Sequence, residues 1–447
     1  MIAGGKPATK RETMTIWDPQ HETIDRERLE ELQLARLRDM LARVYDRVPF
    51  YRQKLDAAGF APGDLTSLDD LNRLPFTEKS DFRDNYPYGL FAVPLEEVVE
   101  IHSSSGTTGK AVVGGYTRAD LETWTELVCR LAVAAGAHQG DVAQVAFGYG
   151  MFTGGFGLHY GLQRAGVAVV PISAGNTARQ IKVMQDFGTT ILIATPSYAL
   201  YIGEVVQKRG VDPESLRLRL GMFGAETCSE EMRAQVEARL PIVATDNYGL
   251  TELTGPGVAG ECECRSGMHI SEDHFIAECL DPASGQPVPE GEVGELVVTA
   301  LTRECSPVLR YRTRDLTTLT REPCACGRTT ARMGKVVGRT DDMFIISGVN
   351  IFPSHVESVL FQIEGVEPFY QIVLDRSPSG LDTFEVHVEV TDTLFDGWMD
   401  DLRAFERRVT EELRSALLVR PRVKLVEPGS LERSEGKARR VIDHRPS

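Results

Sequence analysis

The sequence lacks long apolar runs, a surplus of positive charge, internal repeats and low-complexity tracts. No apolar run approaches the ~18 residues that a membrane-spanning helix needs, so no membrane association is expected. Residues Met1–Arg11 contain no apolar core of the kind a signal peptide has, and we therefore expect a cytoplasmic protein. The net charge of −16 argues against a nucleic-acid partner.

The composition is that of a globular protein, with 42% hydrophobic and 26% charged residues. A length of 447 residues predicts two or three domains. The basic residues are unevenly spread, since nine Lys and Arg face three acidic residues between Arg303 and Arg339. This local excess on an acidic protein predicts a small anionic ligand. The nine basic positions are 303, 310, 312, 314, 321, 328, 332, 335 and 339.

One loop combines hydroxyls, glycines and a lysine between two extended apolar runs. Backbone N–H groups, hydroxyls and a cation together suit a polyphosphate, because glycine lets the backbone close around anion oxygens. It is not a Walker A loop, since only two residues separate its glycines and a second strand follows where a helix would be expected. A polar hairpin loop is the alternative. The loop consists of Ser103, Ser104, Ser105, Gly106, Thr107, Thr108, Gly109 and Lys110.

Short apolar runs alternate with helical patterns through the middle of the chain. This alternation predicts an α/β fold with a parallel sheet covered on both faces. Capping boxes are predicted at Thr117, Thr177 and Thr227. The predicted strands are 143–147, 168–172, 190–194, 218–223 and 241–244, and the predicted helices are 154–166, 177–188, 197–209 and 228–240.

The carboxyl ends of these strands carry small and polar residues. Ligands of open α/β sheets bind at that edge, so we expect it to form the floor of the substrate and nucleotide site. The segments concerned are 148–150, 173–175, 195–197, 224–226 and 248–252.

The remaining regions differ in pattern. Residues 24–46 are predicted to form an amphipathic helix, and residues 258–338 an antiparallel, barrel-like subdomain. A small α+β domain follows, with strands near 343–347, 370–374, 384–390 and 423–427 and helices near 354–362 and 399–417. The predicted domains are therefore 1–340 and 341–447. The chain is expected to end in a flexible charged tail.

Five motifs occur in the order seen in adenylate-forming enzymes. They are the 103–110 loop, Tyr248-Gly-Leu-Thr-Glu252, Tyr311-Arg-Thr-Arg-Asp315, Gly338-Arg-Thr-Asp-Asp342 and Gly436-Lys437. The stretches 74–80, 147–155 and 347–353 most resemble the phenylacetate–CoA ligases within that superfamily. The resemblance covers residues 25–443.

The resemblance implies a two-step reaction. A carboxylate attacks the α-phosphate of ATP to give acyl-AMP and pyrophosphate, and the thiol of coenzyme A then displaces AMP. The 103–110 loop would hold the β- and γ-phosphates, and Thr251 and Glu252 would meet the α-phosphate and its Mg²⁺, because a hard cation prefers oxygen ligands. Asp315 would bind the ribose hydroxyls beside Arg339.

The same resemblance places Lys437 between the carboxylate and the α-phosphate, and Asp341 at the hinge of a mobile C-terminal domain. The loop at Gly348 would line the CoA channel. The remaining nucleotide contacts implied are Gly224, Ala225, Glu226, Asp246, Asn247, Tyr248 and Gly249.

Each assignment has a structural alternative. Glu252 could cap a helix, Asp315 could pair with Arg312 or Arg314, and Lys437 could be a solvated surface residue.

The acid pocket implied by the resemblance is rich in aromatic residues and glycine, which favours a flat aryl group. Its residues are Phe147, Tyr149, Phe152, Thr153, Gly154, Gly155 and His159, with Gly224, Ala225 and Asp246 opposite. His159 could equally be a hydrogen-bonded core residue. Asn247 replaces a residue expected to be apolar, which hints at a ring amino or hydroxyl group on the substrate.

Two Cys-x-Cys pairs predict a metal site in preference to a disulfide in a cytoplasmic protein. Cys262, His269, Cys324 and Cys326 would form a closed structural Zn²⁺ site of the Cys₃His type. Cys262 is preferred to Cys264 because its position matches the resembling family. Four reduced, unliganded thiols are the alternative.

The sequence therefore predicts an ATP-dependent aryl-acid–CoA ligase for phenylacetate, benzoate or an amino- or hydroxybenzoate, and a homodimer like its relatives. An aryl-adenylating enzyme that loads an acyl carrier protein is the first alternative. A non-catalytic nucleotide sensor is the second, although the presence of Lys437, Glu252 and Asp315 argues against it.

Overall fold

The structure is a computed structural model that describes residues 14–104, 110–346, 349–376 and 382–445. Its α-helices in these ranges are α1 Pro19–Glu22, α2 Arg26–Arg47, α3 Pro49–Ala57, α4 Lys79–Asp84, α5 Arg118–Ala134, α6 Thr153–Arg164, α7 Thr177–Phe187, α8 Pro196–Lys208, α9 Glu230–Arg239, α10 Pro353–Leu360, α11 Asp392–Phe395 and α12 Met399–Leu417.

The strands in the same ranges are β1 Glu100–Ser103, β2 Val113–Tyr116, β3 Val142–Val145, β4 Ala168–Val170, β5 Ile191–Ala194, β6 Leu220–Phe223, β7 Val243–Leu250, β8 Gly255–Glu261, β9 Met268–Ile270, β10 Phe275–Leu280, β11 Gly294–Ala300, β12 Val308–Thr317, β13 Leu319–Thr320, β14 Arg332–Met333, β15 Gly338–Arg339, β16 Phe344–Ile346, β17 Val349–Ile351, β18 Val366–Arg376, β19 Asp382–Val390, β20 Arg422–Val426 and β21 Val441–Asp443.

The central feature is a nine-stranded mixed sheet in the order β13-β14-β9-β8-β7-β6-β5-β3-β4. Strands β3 to β7 are parallel, as predicted, and β7 pairs antiparallel with β8. The side chains of β5 alternate between two cores: Ile191 and Ile193 pack with α5 and α6, whereas Leu192 and Ala194 pack with α7, α8 and α9. The sheet is therefore covered on both faces, and the α/β prediction is confirmed.

Of the three predicted capping boxes, one is observed. Thr117 and Asp120 form the expected reciprocal box at the start of α5. The caps of α7 and α9 are Asn176 and Ser229, which accept hydrogen bonds from the backbone N–H three residues on. The boxes predicted at Thr177 and Thr227 were wrong, because a better-placed acceptor lies one residue before Thr177 and two residues after Thr227.

The predicted antiparallel region, 258–338, is antiparallel but is divided between two sheets. Strands β8, β9, β13 and β14 extend the large sheet, and β10, β11, β12 and β15 form a separate four-stranded sheet. Residues of α2 and α3 pack in the same core as this second sheet. The predicted helix at 24–46 is observed as α2.

The C-terminal part contains a four-stranded sheet in the order β20-β19-β18-β21, with α10 and α12 packed against it. The predicted strands and helices of this part are observed. The prediction that the chain ends in a flexible charged tail was wrong in one respect, since β21 at Val441–Asp443 pairs in parallel with β18. The short apolar triplet of β21 carries too weak a periodic signal to be predicted as a strand.

In the described ranges, no helix combines the length and the apolar character that crossing a membrane requires. The predicted domain limits at 340 and 341 stay predictions.

Candidate active site

A cleft of about 580 Å³ lies between the carboxyl ends of β6 and β7 and the C-terminal part of the chain. Its lining includes Asp315 and Arg339 on one side and Lys437 on the other. The predicted site residues that also line it are Ala225, Glu226, Asp246, Asn247, Tyr248, Gly249 and Asp341. The cleft is therefore lined by residues from distant parts of the chain, from Ala225 to Arg445.

Asp315 is held by two partners at the edge of the four-stranded sheet. It lies on β12 directly opposite Arg339 on β15. The Arg339 guanidinium donates to one carboxylate oxygen at 2.6 Å, and the Tyr248 hydroxyl donates to the other at 2.6 Å. The alternative pairing of Asp315 with Arg312 or Arg314 is not observed, because Arg312 pairs with Glu295 and Arg314 with Glu78.

Arg339 also contacts the predicted hinge. Its Nε and Nη2 donate to the two oxygens of Asp341 at 2.9 and 3.1 Å. Burial alone would lower the pKa of Arg339, but Asp315 and Asp341 raise it above its ordinary value. One permanently charged guanidinium thus connects Asp315 to Asp341.

Lys437 is exposed and lines the cleft. Its backbone carbonyl accepts from the Ser434 hydroxyl at 2.8 Å. Among the described residues, no hydrogen bond or ion pair engages its ammonium group. The cation is therefore available to a ligand in the cleft.

Thr251 and Glu252 are both buried, in the turn that follows β7. Arg303 fixes this turn by donating to the backbone carbonyls of Thr251, Glu252 and Leu253. The Glu252 carboxylate lies 4.0 Å from the Lys79 ammonium. Burial and the neighbouring Glu252 raise the pKa of Tyr311 well above its ordinary value. The turn caps none of the described helices, which removes the alternative role given to Glu252.

The Ser/Thr/Gly loop connects a β-hairpin, as the sequence predicts. Strands β1 and β2 are antiparallel with Ser103 opposite Val113, and the Ser104 hydroxyl accepts from Val112 N at 3.0 Å. Lys110 is exposed, 6.0 Å from the Tyr86 ring. Ser105, Gly106, Thr107, Thr108 and Gly109 lie outside the described residues, as does Gly348.

The end of β6 needs glycine for steric reasons. A Cβ at Gly224 would lie 2.7 Å from the Asn247 carbonyl and 2.9 Å from its side-chain oxygen. The Asn247 side chain donates its amide N–H to the Phe223 carbonyl. Ala225 then adopts a positive φ of 68°, a conformation that is rare for residues other than glycine. The backbone of this turn is thus tightly constrained beside the cleft.

Asp246 is a buried carboxyl group in the lining of the cleft. Burial, together with the negative charge of Glu261, raises the pKa of Asp246 to about 7. Lys335 and Arg233 oppose this shift. Glu261 is itself paired with Arg233 at 2.7 Å. The positive charge of Arg233 is therefore already engaged by Glu261 and only partly offsets the rise in the pKa of Asp246.

The raised pKa of Asp246 predicts a pH-dependent gain of stability on substitution. The folded protein holds this proton more tightly than the unfolded chain, whose aspartate has a pKa of 3.8, so stability falls as the pH rises through this interval. Asp246→Asn should therefore stabilise the protein more at pH 8 than at pH 5, by about 2 kcal/mol. Thermal unfolding at both pH values checks this. Asp400→Asn, at a side chain that is 96% exposed, is the matched control, and equal effects of Asp246→Asn at both pH values would contradict the assignment.

The predicted aryl-pocket residues lie at the end of β3 and the start of α6. The Tyr149 hydroxyl and His159 Nδ1 are 3.0 Å apart, and burial lowers the pKa of His159. The described lining of the 580 Å³ cleft does not include Phe147, Tyr149, Phe152, Gly154, Gly155 or His159. The pocket stays a prediction. Gly155 has a packing reason of its own, because a Cβ there would lie 2.9 Å from the Gly148 carbonyl.

Cys262, His269, Cys324 and Cys326 form one buried cluster, with all four ligand atoms within 4.8 Å of one another. The Sγ atoms of Cys262 and Cys324 are 3.8 Å apart. Zn–S bonds of ~2.3 Å in a tetrahedral site place two sulfurs ~3.8 Å apart. The Thr330 hydroxyl lies 3.1 Å from His269 Nδ1, which leaves Nε2, 3.3 Å from Cys326 Sγ, to face the centre of the cluster.

Most side chains of the basic cluster, from which a small anionic ligand was predicted, are engaged by other residues of the chain. Seven of these side chains are engaged inside the protein: Arg303 and Arg332 with backbone carbonyls, Arg310 with Glu278, Arg312 with Glu295, Arg314 with Glu78, Arg328 with Glu22 and Lys335 with Glu230. Of the nine, Arg339 lines the cleft. Counting acids within a short window misses these partners, because most of them come from distant parts of the chain.

Sequence reasoning also missed three residues of the cleft. Glu357 on α10, Tyr370 on β18 and Arg440 line its C-terminal side. The Tyr370 hydroxyl donates to Glu357 at 3.2 Å, and the Arg440 guanidinium lies 4.6 Å from the centre of the Tyr370 ring. A glutamate on an amphipathic helix gives no sequence signal that separates it from a solvated one.

Two family profiles match the chain. The profile described as AMP-binding enzyme matches residues 64–301, and that of the AMP-binding enzyme C-terminal domain matches residues 348–445. The chain belongs to the AMP-binding enzymes. Phenylacetate-coenzyme A ligase of Thermus thermophilus is 49% identical in an alignment of 444 positions that covers 96% of this chain and 100% of that protein. The enzyme of the same name from Pseudomonas putida is 46% identical over 431 residues, 96% of this chain and 97% of that one.

These identities place the chain within the phenylacetate–CoA ligase family, and it is an acid–thiol ligase of the adenylate-forming kind. Among solved structures, 2-hydroxyisobutyryl-CoA ligase in its postadenylation state with 2-HIB-AMP superposes with a TM-score of 0.90 at 30% identity, covering 98% of this chain and 94% of that one. The same ligase with 2-HIB-AMP and CoA, in its thioesterification state, superposes with a TM-score of 0.71 at 30% identity. That superposition covers 96% of this chain and 92% of the other.

Proposed function

We propose that the protein activates an aryl carboxylic acid with ATP and transfers the acyl group to coenzyme A. In the first step a carboxylate oxygen bonds to the α-phosphorus, and the bond to the β-phosphate oxygen breaks to release pyrophosphate. In the second step the thiol sulfur bonds to the acyl carbon, and AMP leaves. The observation that carries this proposal is the cleft whose lining includes both the Asp315–Arg339 pair and Lys437, whose ammonium has no partner among the described residues.

The residues of the cleft suit the first step. Asp315 offers carboxylate oxygens to ribose hydroxyls, and Lys437 brings a cation to a centre where a carboxylate and a phosphate must approach each other. Charge neutralisation and positioning supply most of the catalysis in phosphate displacement. The buried Glu252 carboxylate is a suitable ligand for Mg²⁺, which is usually held by one or two carboxylates together with substrate phosphates. Bound there, the ion would neutralise phosphate charge.

The arrangement of the C-terminal part supports a structure poised for adenylation. This chain superposes on 2-hydroxyisobutyryl-CoA ligase with a TM-score of 0.90 for the postadenylation state and 0.71 for the thioesterification state. Contacts between the two parts of this chain hold the arrangement: Arg433 pairs with Glu204 at 3.0 Å and Arg239 with Glu367 at 3.1 Å. Phe369 of the C-terminal part packs in the core that contains α8 and α9.

An aryl acid is favoured because the two relatives described above are named for phenylacetate and are nearly half identical to this chain. The aromatic set at the end of β3 is consistent with a flat substrate. Asn247 uses its amide N–H internally, so its remaining acceptor oxygen suits a ring amino or hydroxyl group. The homodimer, the cytoplasmic location and the carrier-protein partner stay predictions.

We also propose that Cys262, His269, Cys324 and Cys326 bind a structural Zn²⁺. Support comes from the sulfur spacing and from the position of Thr330, which fixes the imidazole with Nε2 inward, as a hydrogen bond to a ligating histidine usually does. Four protein ligands leave no open coordination position, so the ion would stabilise the fold without taking part in the reaction. Cys264 lies outside the cluster, with its sulfur 3.8 Å from that of Met14.

A substrate panel tests the reaction. Pyrophosphate release is measured with phenylacetate, benzoate, amino- and hydroxybenzoates, acetate and 2-hydroxyisobutyrate, each with no thiol, with CoA or with a phosphopantetheinylated carrier protein. We expect an aryl acid to be preferred over acetate by at least about 100-fold in kcat/KM, because the lost apolar contacts exceed one methylene, and we expect CoA to accept the acyl group. Turnover with the carrier protein alone would favour the first alternative, and turnover of 2-hydroxyisobutyrate alone would contradict an aryl substrate.

A further inference from the structure

The segment that carries Lys437 is anchored on its C-terminal side by Glu226. This residue follows β6, and one of its carboxylate oxygens accepts a short hydrogen bond from the backbone N–H of Ala438. The other oxygen accepts from the Ser197 hydroxyl at 2.6 Å and from Ser197 N at 3.3 Å. Ser197 therefore orients the Glu226 carboxylate so that its free oxygen meets the residue directly after Lys437.

The N-terminal side of Lys437 is anchored by hydroxyl groups. The Gly436 carbonyl accepts from the Thr195 hydroxyl at 3.0 Å, and it lies 3.2 Å from the Ser197 hydroxyl oxygen, whose hydrogen is donated to Glu226. The Glu435 carboxylate accepts from the Thr177 hydroxyl at 3.0 Å. These groups come from the starts of α7 and α8, at the carboxyl edge of the parallel sheet.

The anchors thus fix the backbone on both sides of Lys437, while its side chain remains free in the cleft. A long lysine side chain has many rotamers, and an unanchored backbone would spread its ammonium over a larger volume. Fixing the two neighbouring residues restricts the ammonium to a smaller part of the cleft, whose lining also includes Asp315 and Arg339. Positioning of this kind is a large part of the rate enhancement in reactions between bound groups.

We propose that Glu226 is a positioning residue, which docks the Lys437 segment for acyl-AMP formation and releases it before thioester formation. The inference rests on the proposed function. It replaces the expectation that Glu226 contacts the nucleotide, because both of its oxygens are already engaged and its negative charge would repel phosphate. Release is required because a segment held at Glu226 cannot leave the cleft when the C-terminal part changes its position.

Separate assays of the two half-reactions test this role. Glu226→Ala should lower the rate constant of acyl-AMP formation by about 10- to 100-fold, the range expected for losing a hydrogen bond to a charged acceptor. The KM for ATP should stay within about twofold, and thioester formation from supplied acyl-AMP and CoA should not slow. Glu226→Gln should recover much of the adenylation rate, because the amide oxygen still accepts from Ala438 N–H. A raised KM for ATP with equal losses in both half-reactions would overturn the proposal in favour of a nucleotide contact.

A second measurement does not depend on activity. Tryptic cleavage after Lys437 should be faster in Glu226→Ala than in the unsubstituted protein, because the docked segment is released. Ser197→Ala should also make tryptic cleavage faster. This second variant keeps the test valid if Glu226→Ala folds poorly. Glu432→Ala, at an exposed residue of the same segment, is the matched control and should leave cleavage unchanged. Unchanged cleavage in both anchor variants overturns the proposal. A protein that shows docking by this measure but adenylates none of the acids would instead contradict the proposed function.

Discussion

Replacing Lys437 by alanine is expected to lower the rate of acyl-AMP formation by about 10²- to 10³-fold, the usual loss when one preorganised charged or hydrogen-bonding group is removed from a transition state. The ammonium has no partner among the described residues and lines the cleft. It is therefore free to neutralise charge where the carboxylate meets the α-phosphate. Pyrophosphate release in the absence of CoA measures this step.

The specificity of the effect distinguishes catalysis from a structural role. ATP affinity, measured by calorimetry, should change by less than about threefold in Lys437→Ala, because the loss falls mainly on the transition state. Lys424→Ala is the matched control, since Lys424 is an exposed lysine on β20 of the same C-terminal part. Normal adenylation by Lys437→Ala would refute the assigned role, as would an equal loss in Lys424→Ala.

Removing a ligand of the cysteine cluster is expected to abolish metal binding and to destabilise the fold. Cys326→Ser should reduce bound zinc from about one equivalent to a few tenths or less, because three ligands leave the ion open to loss. The apparent Tm should fall by about 5 °C, given that a protein of this size needs several kcal/mol for such a shift. Elemental analysis and thermal unfolding measure the two effects.

A matched cysteine variant distinguishes the four proposed zinc ligands from the neighbouring Cys264. Cys264→Ser should retain the zinc and most of the stability, since Cys264 packs against the cluster but is not one of its four ligand residues. Loss of zinc from Cys264→Ser, with retention in Cys262→Ser, would show that the ligand set was assigned wrongly. Purified unsubstituted protein without zinc would contradict the site altogether.

Local patterns were sufficient to predict the parallel strands of the main sheet. Strand β5 is apolar on both sides because side chains such as Ile191 and Leu192 enter different cores, and this produces the continuous apolar run that the sequence shows. The strands on either side of the Ser/Thr/Gly loop were predicted from their own apolar runs. The C-terminal extent of β7 was not predictable, because its residues from Thr245 to Leu250 adopt a strand conformation only through pairing with β6 and β8.

The family resemblance predicts the residues of the candidate site, and their roles stay predictions, but it gives none of the internal contacts of the site. Nothing local to Asp315 indicates that Tyr248 and Arg339 are its partners, and nothing local to Glu226 indicates Ala438 as its partner. Both depend on chain segments that meet only after folding. The partners of several members of the basic cluster are likewise far away in sequence.

The shared guanidinium of Arg339 has a consequence for the movement of the C-terminal part. A rotation of the backbone at Asp341 would withdraw the carboxylates of Asp341 and Asp342 from Arg339 and leave that of Asp315. The free-energy cost of breaking these exposed ion pairs is small, about 0–1 kcal/mol for each pair, and dissolved salt screens them. In the proposed movement of the C-terminal part, the balance between its two positions should therefore depend on ionic strength as well as on the bound ligand.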